Sequence, residues 1–242
     1  MKKPCVSVVI PSYNERENIE ASIAAIRSEL LRQRHPFEIV VVDDSSPDGT
    51  GGLVRRLSKK WPQVRLLNNP QKRGIGYALS MAYTDARGEV IVSTDADGSV
   101  APGYITAGLK KIAEGFDFVV GCRHCKEGFY EAKEEWYNFV RIPVSKAGNA
   151  FTRAITGIPV NDFSLNFRLF RKKFWVPENC KSTGNAFMLE VVVEAAARGA
   201  RVAQIPVKFM ERKKGATKTR LGKEALKFFK RLLQLKFVEG KP

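Results

Sequence analysis

The sequence predicts an α/β fold with a mostly parallel central sheet and helices on both faces. Three observations carry that prediction. Short apolar runs alternate with stretches of helical periodicity, which implies right-handed crossovers between parallel strands. Those runs are continuous in Val and Ile, as buried strands require. Two of them also end in paired acids, at the carboxyl ends of strands, where open α/β sheets place their ligands.

Residues 6 to 10 form the first apolar run, closed by Pro11, and Ile19, Ile23, Ile26 and Leu30 then recur at helical spacing. Pro11 to Asn18 is a polar loop between them, carrying Tyr13; an ordinary capped helix start explains Asn14 and Glu17 equally well. Residues 37 to 42 repeat the plan and run into Asp43 and Asp44, followed by a turn through Thr50 and a helix marked by Leu53, Leu57 and Trp61. Residues 64 to 67 are a third strand, and Lys72-Arg73-Gly74-Ile75-Gly76 opens a helix through Leu79 and Ala82. The strand Val90-Ile91-Val92 then leads to Asp95-Ala96-Asp97-Gly98. Residues two apart in extended backbone project to one side. Asp95 and Asp97 therefore converge on one hard cation while Ala96 points away, unless the tripeptide is only a solvated turn.

With 242 residues and 44% apolar content, the chain buries one large domain, or one and a half. It has no stretch of about 18 uncharged apolar residues and no apolar signal region before the first strand, so the expectation is an intracellular chain without a spanning helix. Cys5, Cys122, Cys125 and Cys180 are unevenly spaced and read as reduced thiols; Cys122-Arg123-His124-Cys125 resembles half a zinc site with no second pair of ligands. Lys and Arg number 41 against 25 Asp and Glu, a formal +16 that favours polyanionic partners: nucleic acid, an anionic lipid surface or phosphorylated substrates. The excess is concentrated in residues 201 to 242. No Gly-x-Gly-x-x-Gly follows the first strand and no P-loop is present, which argues against dinucleotide binding and against a glycine cradle for phosphates.

Four motifs occur in order: Pro11-Ser12-Tyr13-Asn14-Glu15, Asp43-Asp44-Ser45-Ser46-Pro47-Asp48-Gly49-Thr50, Lys72-Arg73-Gly74-Ile75-Gly76 and Asp95-Ala96-Asp97. Together they resemble the inverting family 2 glycosyltransferases of GT-A fold. Gly121-Cys122-Arg123, Arg141 with Ser145 and Lys146, Asp162 before Asn166-Phe167-Arg168, and Arg212 with Gly215 and Lys218 extend the likeness to polyprenyl-phosphate sugar transferases of the dolichyl-phosphate mannose synthase type. The resemblance implies transfer of one hexose, mannose first, from GDP-mannose to a polyprenyl or dolichyl phosphate. It implies that Pro11, Tyr13, Glu15, Asp43, Asp44, Lys72, Gly74 and Asp95 hold the nucleotide, and that Asp95 and Asp97 bind Mg²⁺ or Mn²⁺. Arg123, Arg141, Ser145, Arg212 and Lys218 would surround the acceptor phosphate, with Asp97 and Arg123 carrying catalysis. A lipid phosphate is already an anionic nucleophile, so no general base is needed, and His35 and His124 are expected at the surface.

Two departures stand out. Relatives of this type show Leu-Gln-His after the second acid where this chain has Gly98-Ser99-Val100, so metal coordination falls to water or Ser99. They show Asp-x-x-Ser-Gly-Phe where this chain has Asp162-Phe163-Ser164-Leu165-Asn166-Phe167, an altered floor on the acceptor side. The absence of a Gln-x-x-Arg-Trp motif argues for single-sugar transfer. The expected organisation is a transferase domain over residues 1–210 and a basic extension over 211–242, where Ala225, Phe228, Phe229, Leu232, Leu233 and Leu235 interleave with Lys223, Lys227, Lys230, Arg231 and Lys236. That amphipathic helix fits equally a membrane interface or the domain's own core. The expected partners are the nucleotide-sugar donor, the polyprenyl phosphate and the cytoplasmic face of a membrane by peripheral contact, with a small membrane anchor protein left open. The alternatives are a UDP-glucose-dependent dolichyl-phosphate glucosyltransferase, a family 2 transferase with another acceptor, a nucleotidyltransferase lacking its glycine-rich loop, and a nucleic-acid binder. The last has no stacking motif or readout helix in its favour.

Overall fold

The computed structural model describes residues 5–34, 36–131, 135–210 and 221–242, without the side chains of residues 131–141 and 221. Its first half alternates β1 (Val6–Ser12), α1 (Ile19–Arg32), β2 (Phe37–Asp43), α2 (Thr50–Lys60), β3 (Val64–Asn68), α3 (Ile75–Asp85), β4 (Val90–Ser93), α4 (Gly103–Ala113) and β5 (Phe118–Cys122). The second half holds β6 (Phe129–Glu131), α5 (Glu135–Thr156), β7 (Arg168–Arg171), α6 (Ala186–Ala197), β8 (Val202–Pro206), β9 (Lys208–Met210) and α7 (Leu221–Leu233). Seven strands form one sheet in the order β3-β2-β1-β4-β7-β5-β8, and β6 pairs with β9. All pairings of the large sheet are parallel except those of β7, which runs against both neighbours.

The continuous apolar strands serve two cores at once. Val6, Val8 and Ile10 of β1, with Ile39 and Val41 of β2, pack under α1, α2 and α4 against Ile23, Leu30, Val54 and Ile105. Val9, Val40 and Val42 point the other way, onto Leu79 and Tyr83 of α3 and Phe187 and Val192 of α6. Burial on both faces is why β1 and β2 read as near-continuous apolar runs; the polar Ser7 and Glu38 among them are buried, the Ser7 hydroxyl donating to Glu38 Oε1 at 2.6 Å.

The chain builds β1, β2 and β3 outward on one side, then α3 returns it to place β4 on the other side of β1. The reversal makes a crevice above the carboxyl ends of β1 and β4, the ligand position of open α/β sheets. Val9 pairs with Ser93, the last residue of β4, whereas β1 continues to Ser12, which pairs with Asp43. The strand thus includes Pro11 and Ser12, two residues beyond the run the sequence marks as strand. Proline is tolerated there because Thr94 makes the last bond from the β4 side, its N–H donating to Val9 O at 3.1 Å, before that chain turns away.

The C-terminal helix α7 packs on α6 through Phe228, Phe229 and Leu232, with Arg231 paired to the buried Glu190; just beyond it Leu235 joins the same core and Lys241 pairs with Glu194 at 2.7 Å. Its inner face therefore belongs to the core. Leu226, Phe237 and Val238 remain 73–79% exposed. No described helix is long and apolar enough to cross a membrane.

Candidate active site

At the end of β1 the chain enters a left-handed turn at Asn14 (φ 55°), and at the end of β2 another at Ser45 (φ 63°). The two loops are bolted together. Asp43 accepts a hydrogen bond from the Ser46 hydroxyl, and Ser46 Oγ accepts one from Asn14 N at 2.9 Å. Asp48 accepts from Arg16 N at 3.1 Å and from Thr50 Oγ1 at 2.6 Å, while Thr50 Oγ1 accepts from Glu15 N at 3.0 Å. The Ser-Ser-Pro-Asp-Gly-Thr segment thus fixes the position of Tyr13 and Glu15. Glu15 is buried and accepts from Asn18 Nδ2 at 2.9 Å.

Asp43 is buried against the first turn of α2, where burial pushes its carboxyl up and the hydrogen bonds from Ser46 pull it back down. A side chain at residue 51 would not fit: a Cβ on Gly51 would stand 2.6 Å from Asp43 Oδ2. Asp44, 4% exposed, faces inward: it accepts from Asn69 Nδ2 at 2.7 Å, Arg73 N at 2.9 Å and Gly74 N at 2.8 Å. The structure gives Asp44 the task of shaping the Lys72–Gly74 turn. That turn brings Lys72 Nζ over the Tyr13 ring, 3.6 Å from its centroid, and closes one wall of the crevice. Gly76 seats the turn against the loop before α6, its N–H donating to Thr183 O at 2.7 Å, and a Cβ there would stand 2.2 Å from Ser182 O.

Opposite this wall, Asp95 and Asp97 are partly exposed and Ala96 between them is 3% exposed. The loop is held by Ser22 of α1, whose hydroxyl donates to Ala96 O at 2.6 Å. Asp97 accepts from Ser99 N at 3.0 Å and from the Ser99 hydroxyl, so Ser99 orients the second acid. Asp95 accepts from Asn166 Nδ2 at 2.9 Å. This donor set suits a hard divalent cation. Among the described residues no three His, Cys, Asp or Glu side chains gather as ligands, and Mg²⁺ in particular needs only one or two carboxylates when a substrate phosphate completes its shell.

The far side of the crevice begins where β5 ends. Arg123 makes two parallel bonds to Asp162, Nε to Oδ2 at 2.7 Å and Nη2 to Oδ1 at 2.9 Å, and a third from Nη2 to Ser164 Oγ at 2.8 Å. Burial alone would push the fully buried Asp162 carboxyl up; Arg123 outweighs it and holds that carboxyl below the ordinary range. Asp162 also organises its own loop by accepting from Leu165 N at 3.2 Å. His124 is not at the surface: it is half-buried, and its Nε2 lies 3.0 Å from Ser145 Oγ. α5, which carries Ser145, is in turn tied to the Asp162 loop, Asn149 Oδ1 accepting from Phe163 N at 2.7 Å. Burial lowers the imidazole's pKa, with Asp162 opposing. Arg141 lies on α5 with its side chain outside the description, and Arg212 and Lys218 lie outside the described residues.

Pro11, Tyr13, Glu15, Asp43, Lys72 and Gly74 thus belong to the carboxyl ends of β1 and β2 and the linked loops after β1, β2 and β3, Asp95 and Asp97 to the loop after β4, Arg123 to the loop after β5 and Ser145 to α5. Gly51 carries no signal in the sequence, Ser46 lies inside the second motif without a role of its own there, and His124 is expected at the surface.

A crevice at the switch point of a mostly parallel sheet, with two acids just past the tip of a central strand, is where an open α/β fold binds a ligand, and it suits a phosphorylated one held through a divalent cation. The chain belongs to glycosyl transferase family 2, whose family model matches residues 7–175. It is 32% identical over 218 residues to polyprenol monophosphomannose synthase of Mycolicibacterium smegmatis, covering 87% of this chain and 79% of that protein. It is also 32% identical over 237 residues to dolichol-phosphate mannosyltransferase of Pyrococcus furiosus, covering 97% of this chain but 64% of that longer protein. Among solved structures, glucosyl-3-phosphoglycerate synthase of Mycobacterium tuberculosis with Mn²⁺ and UDP-glucose superposes with a TM-score of 0.68 at 19% identity, over 96% of this chain and 78% of that one. A mannosyltransferase of Pyrobaculum calidifontis with GDP-mannose and Mn²⁺ gives 0.57 at 25% identity, over 89% and 59%.

Proposed function

We propose that this glycosyltransferase moves one mannose from GDP-mannose to a polyprenyl phosphate, with inversion and in the presence of Mg²⁺ or Mn²⁺. The observation that carries the reading is the pairing of Asp95 and Asp97 at the switch point, in a chain alike over 87% of its length to a polyprenol monophosphomannose synthase.

Tyr13, Lys72 and Asp43 would frame the nucleoside, and Asp95 and Asp97 are the residues that would hold the cation. When bound, that cation supplies Lewis-acid neutralisation of the charge left on the departing diphosphate. An oxygen of the acceptor phosphate attacks the anomeric carbon while the bond from that carbon to the diphosphate breaks, and the electron pair leaves on GDP. The nucleophile arrives as an anion, so no side chain has to take a proton. The chain's work is to bring two anions into line, and Arg123 supplies an inward cation that Asp162 holds rigid. Arg141, Ser145, Arg212 and Lys218 complete the acceptor phosphate site in this reading.

A lipid acceptor requires the site to face a bilayer. Val144 and Phe151 on α5 and Leu226, Leu233 and Phe237 at the C terminus are exposed apolar side chains, with Lys223, Lys227 and Lys230 beside the last three. We assign this face to peripheral contact with an anionic bilayer. A separate anchor protein is not required by that assignment.

The test is incubation with radiolabelled GDP-mannose or UDP-glucose, Mn²⁺ and dolichyl phosphate, followed by solvent extraction. Label from GDP-mannose in the lipid phase is expected. Label only from UDP-glucose would replace the sugar, and label in neither lipid fraction would remove the acceptor.

A further inference from the structure

The loop between Asp162 and Asn166 grips both halves of the crevice. At one end Asp162 holds Arg123; at the other, the Asn166 side chain, 4% exposed, sits between Asp95 and Ser93. Asn166 Nδ2 donates to Asp95 Oδ1 at 2.9 Å, and Asn166 Oδ1 accepts from Ser93 Oγ at 2.6 Å. The orientation of the amide is dictated by chemistry. A carboxylate only accepts, so the nitrogen faces Asp95, the oxygen faces Ser93, and the serine hydroxyl must donate.

The sheet places Asn166 there. β4 and β7 run antiparallel with Ser93 opposite Arg168, and extending that register by two residues sets 166 opposite 95. The loop has little freedom: Asp162 accepts from Leu165 N, and the fully buried Arg168 donates to Leu165 O at 2.6 Å and to Met188 O at 2.5 Å. An amide fixed by Ser93 at its oxygen, on a loop tied down at Leu165, presents one fixed donor to Asp95. Being neutral, it orients the carboxylate without competing for its charge.

We infer that Asn166 is the positioning residue for Asp95, setting the geometry in which that carboxylate meets the divalent cation; this rests on the assignment of Asp95 and Asp97 as the cation's ligands. Partners of this kind are worth about 10–100-fold in metal affinity. The test uses Asn166→Leu, which keeps the volume and removes the donor, and Ser93→Ala, which releases the amide while leaving Asn166 in place. Free Mn²⁺ is measured by electron paramagnetic resonance in the presence of GDP, with GDP affinity in chelator as the control.

The expected result is a Mn²⁺ affinity reduced about tenfold in Asn166→Leu and less in Ser93→Ala, with GDP affinity in chelator unchanged. Turnover should recover at saturating Mn²⁺, so that the metal's apparent KM rises and kcat is largely kept. Should Asn166→Leu fail to fold, Ser93→Ala decides alone. Mn²⁺ affinity within twofold of the unsubstituted chain in the folded variants overturns the role of Asn166 and leaves the metal ligands standing. No Mn²⁺ binding by the unsubstituted chain with GDP overturns the ligand assignment, and Asn166's role with it.

Discussion

The proposed donor side and the proposed acceptor side of the crevice are built on different principles. The donor side draws on β1, β2 and α3, all within the first 85 residues, and its loops are tied by Ser46, Asp48, Thr50 and Asp44 to backbone N–H groups of Asn14, Arg16, Glu15 and Gly74. The acceptor side is assembled from residues near 123, 145 and 162, and its charged core is one buried ion pair. The donor side is stiff because each side chain satisfies a neighbouring loop's backbone. The acceptor side depends on a cation whose counter-charge can be removed by one substitution, so stability and activity are entangled there and separable on the donor side.

The largest test of that contrast is Asp97→Ala. It should cut turnover about 1,000-fold, by removing a cation ligand worth several kcal/mol in the transition state, while the melting temperature stays near that of the parent. Undiminished turnover would refute the metal assignment. Arg123→Ala should behave differently and cost about 3–5 kcal/mol of stability in a denaturant titration, because Asp162 is left buried and unpaired. Adding Asp162→Asn should restore most of the stability and none of the turnover; a fully stable single variant would contradict the picture of the ion pair.

Gly51→Ala should move Asp43 and lower kcat/KM for the donor about 10- to 100-fold, with a well-folded protein; an unchanged donor KM would show that Asp43 does not contact the nucleoside. On the outer face, Leu226→Glu with Phe237→Glu should weaken sedimentation with phosphatidylserine vesicles about tenfold and leave transfer to a short, detergent-soluble polyprenyl phosphate intact. The smallest effect is a pH dependence at His124. Burial lowers its pKa in the folded chain, so the unfolded chain binds the proton more tightly and stability falls as pH drops below about 6.5. His124→Gln should flatten the fall in melting temperature between pH 7.5 and 5.5.

Much of this was legible in one dimension. The apolar runs ending at Ile10, Val42 and Val92 became parallel strands, since continuous β-branched residues flanked by turns leave few alternatives. The acids at 95 and 97 fared differently: β4 ends at Ser93 and Ala96 and Asp97 lie in a turn, so it is this turn, not extended backbone, that buries Ala96 and leaves both acids partly exposed. Asp44 was less readable, because an acid that binds a ligand and an acid that caps a neighbouring turn look alike until the turn is placed beside it. The antiparallel insertion of β7 between β4 and β5 had no local signal, yet it delivers Asn166 to Asp95.

By itself the sequence determined the alternation of strand and helix, the two acids of the central strand and the basic, amphipathic character of the C terminus, because each is written in periodicity, spacing or composition over a few adjacent residues. Only the tertiary structure decided which side chain answers which: Asp162 to Arg123, His124 to Ser145, Asn166 to Asp95, and the inner face of α7 to α6. Those pairings join residues far apart along the chain. They depend on strand order and register, and no short stretch of sequence carries either.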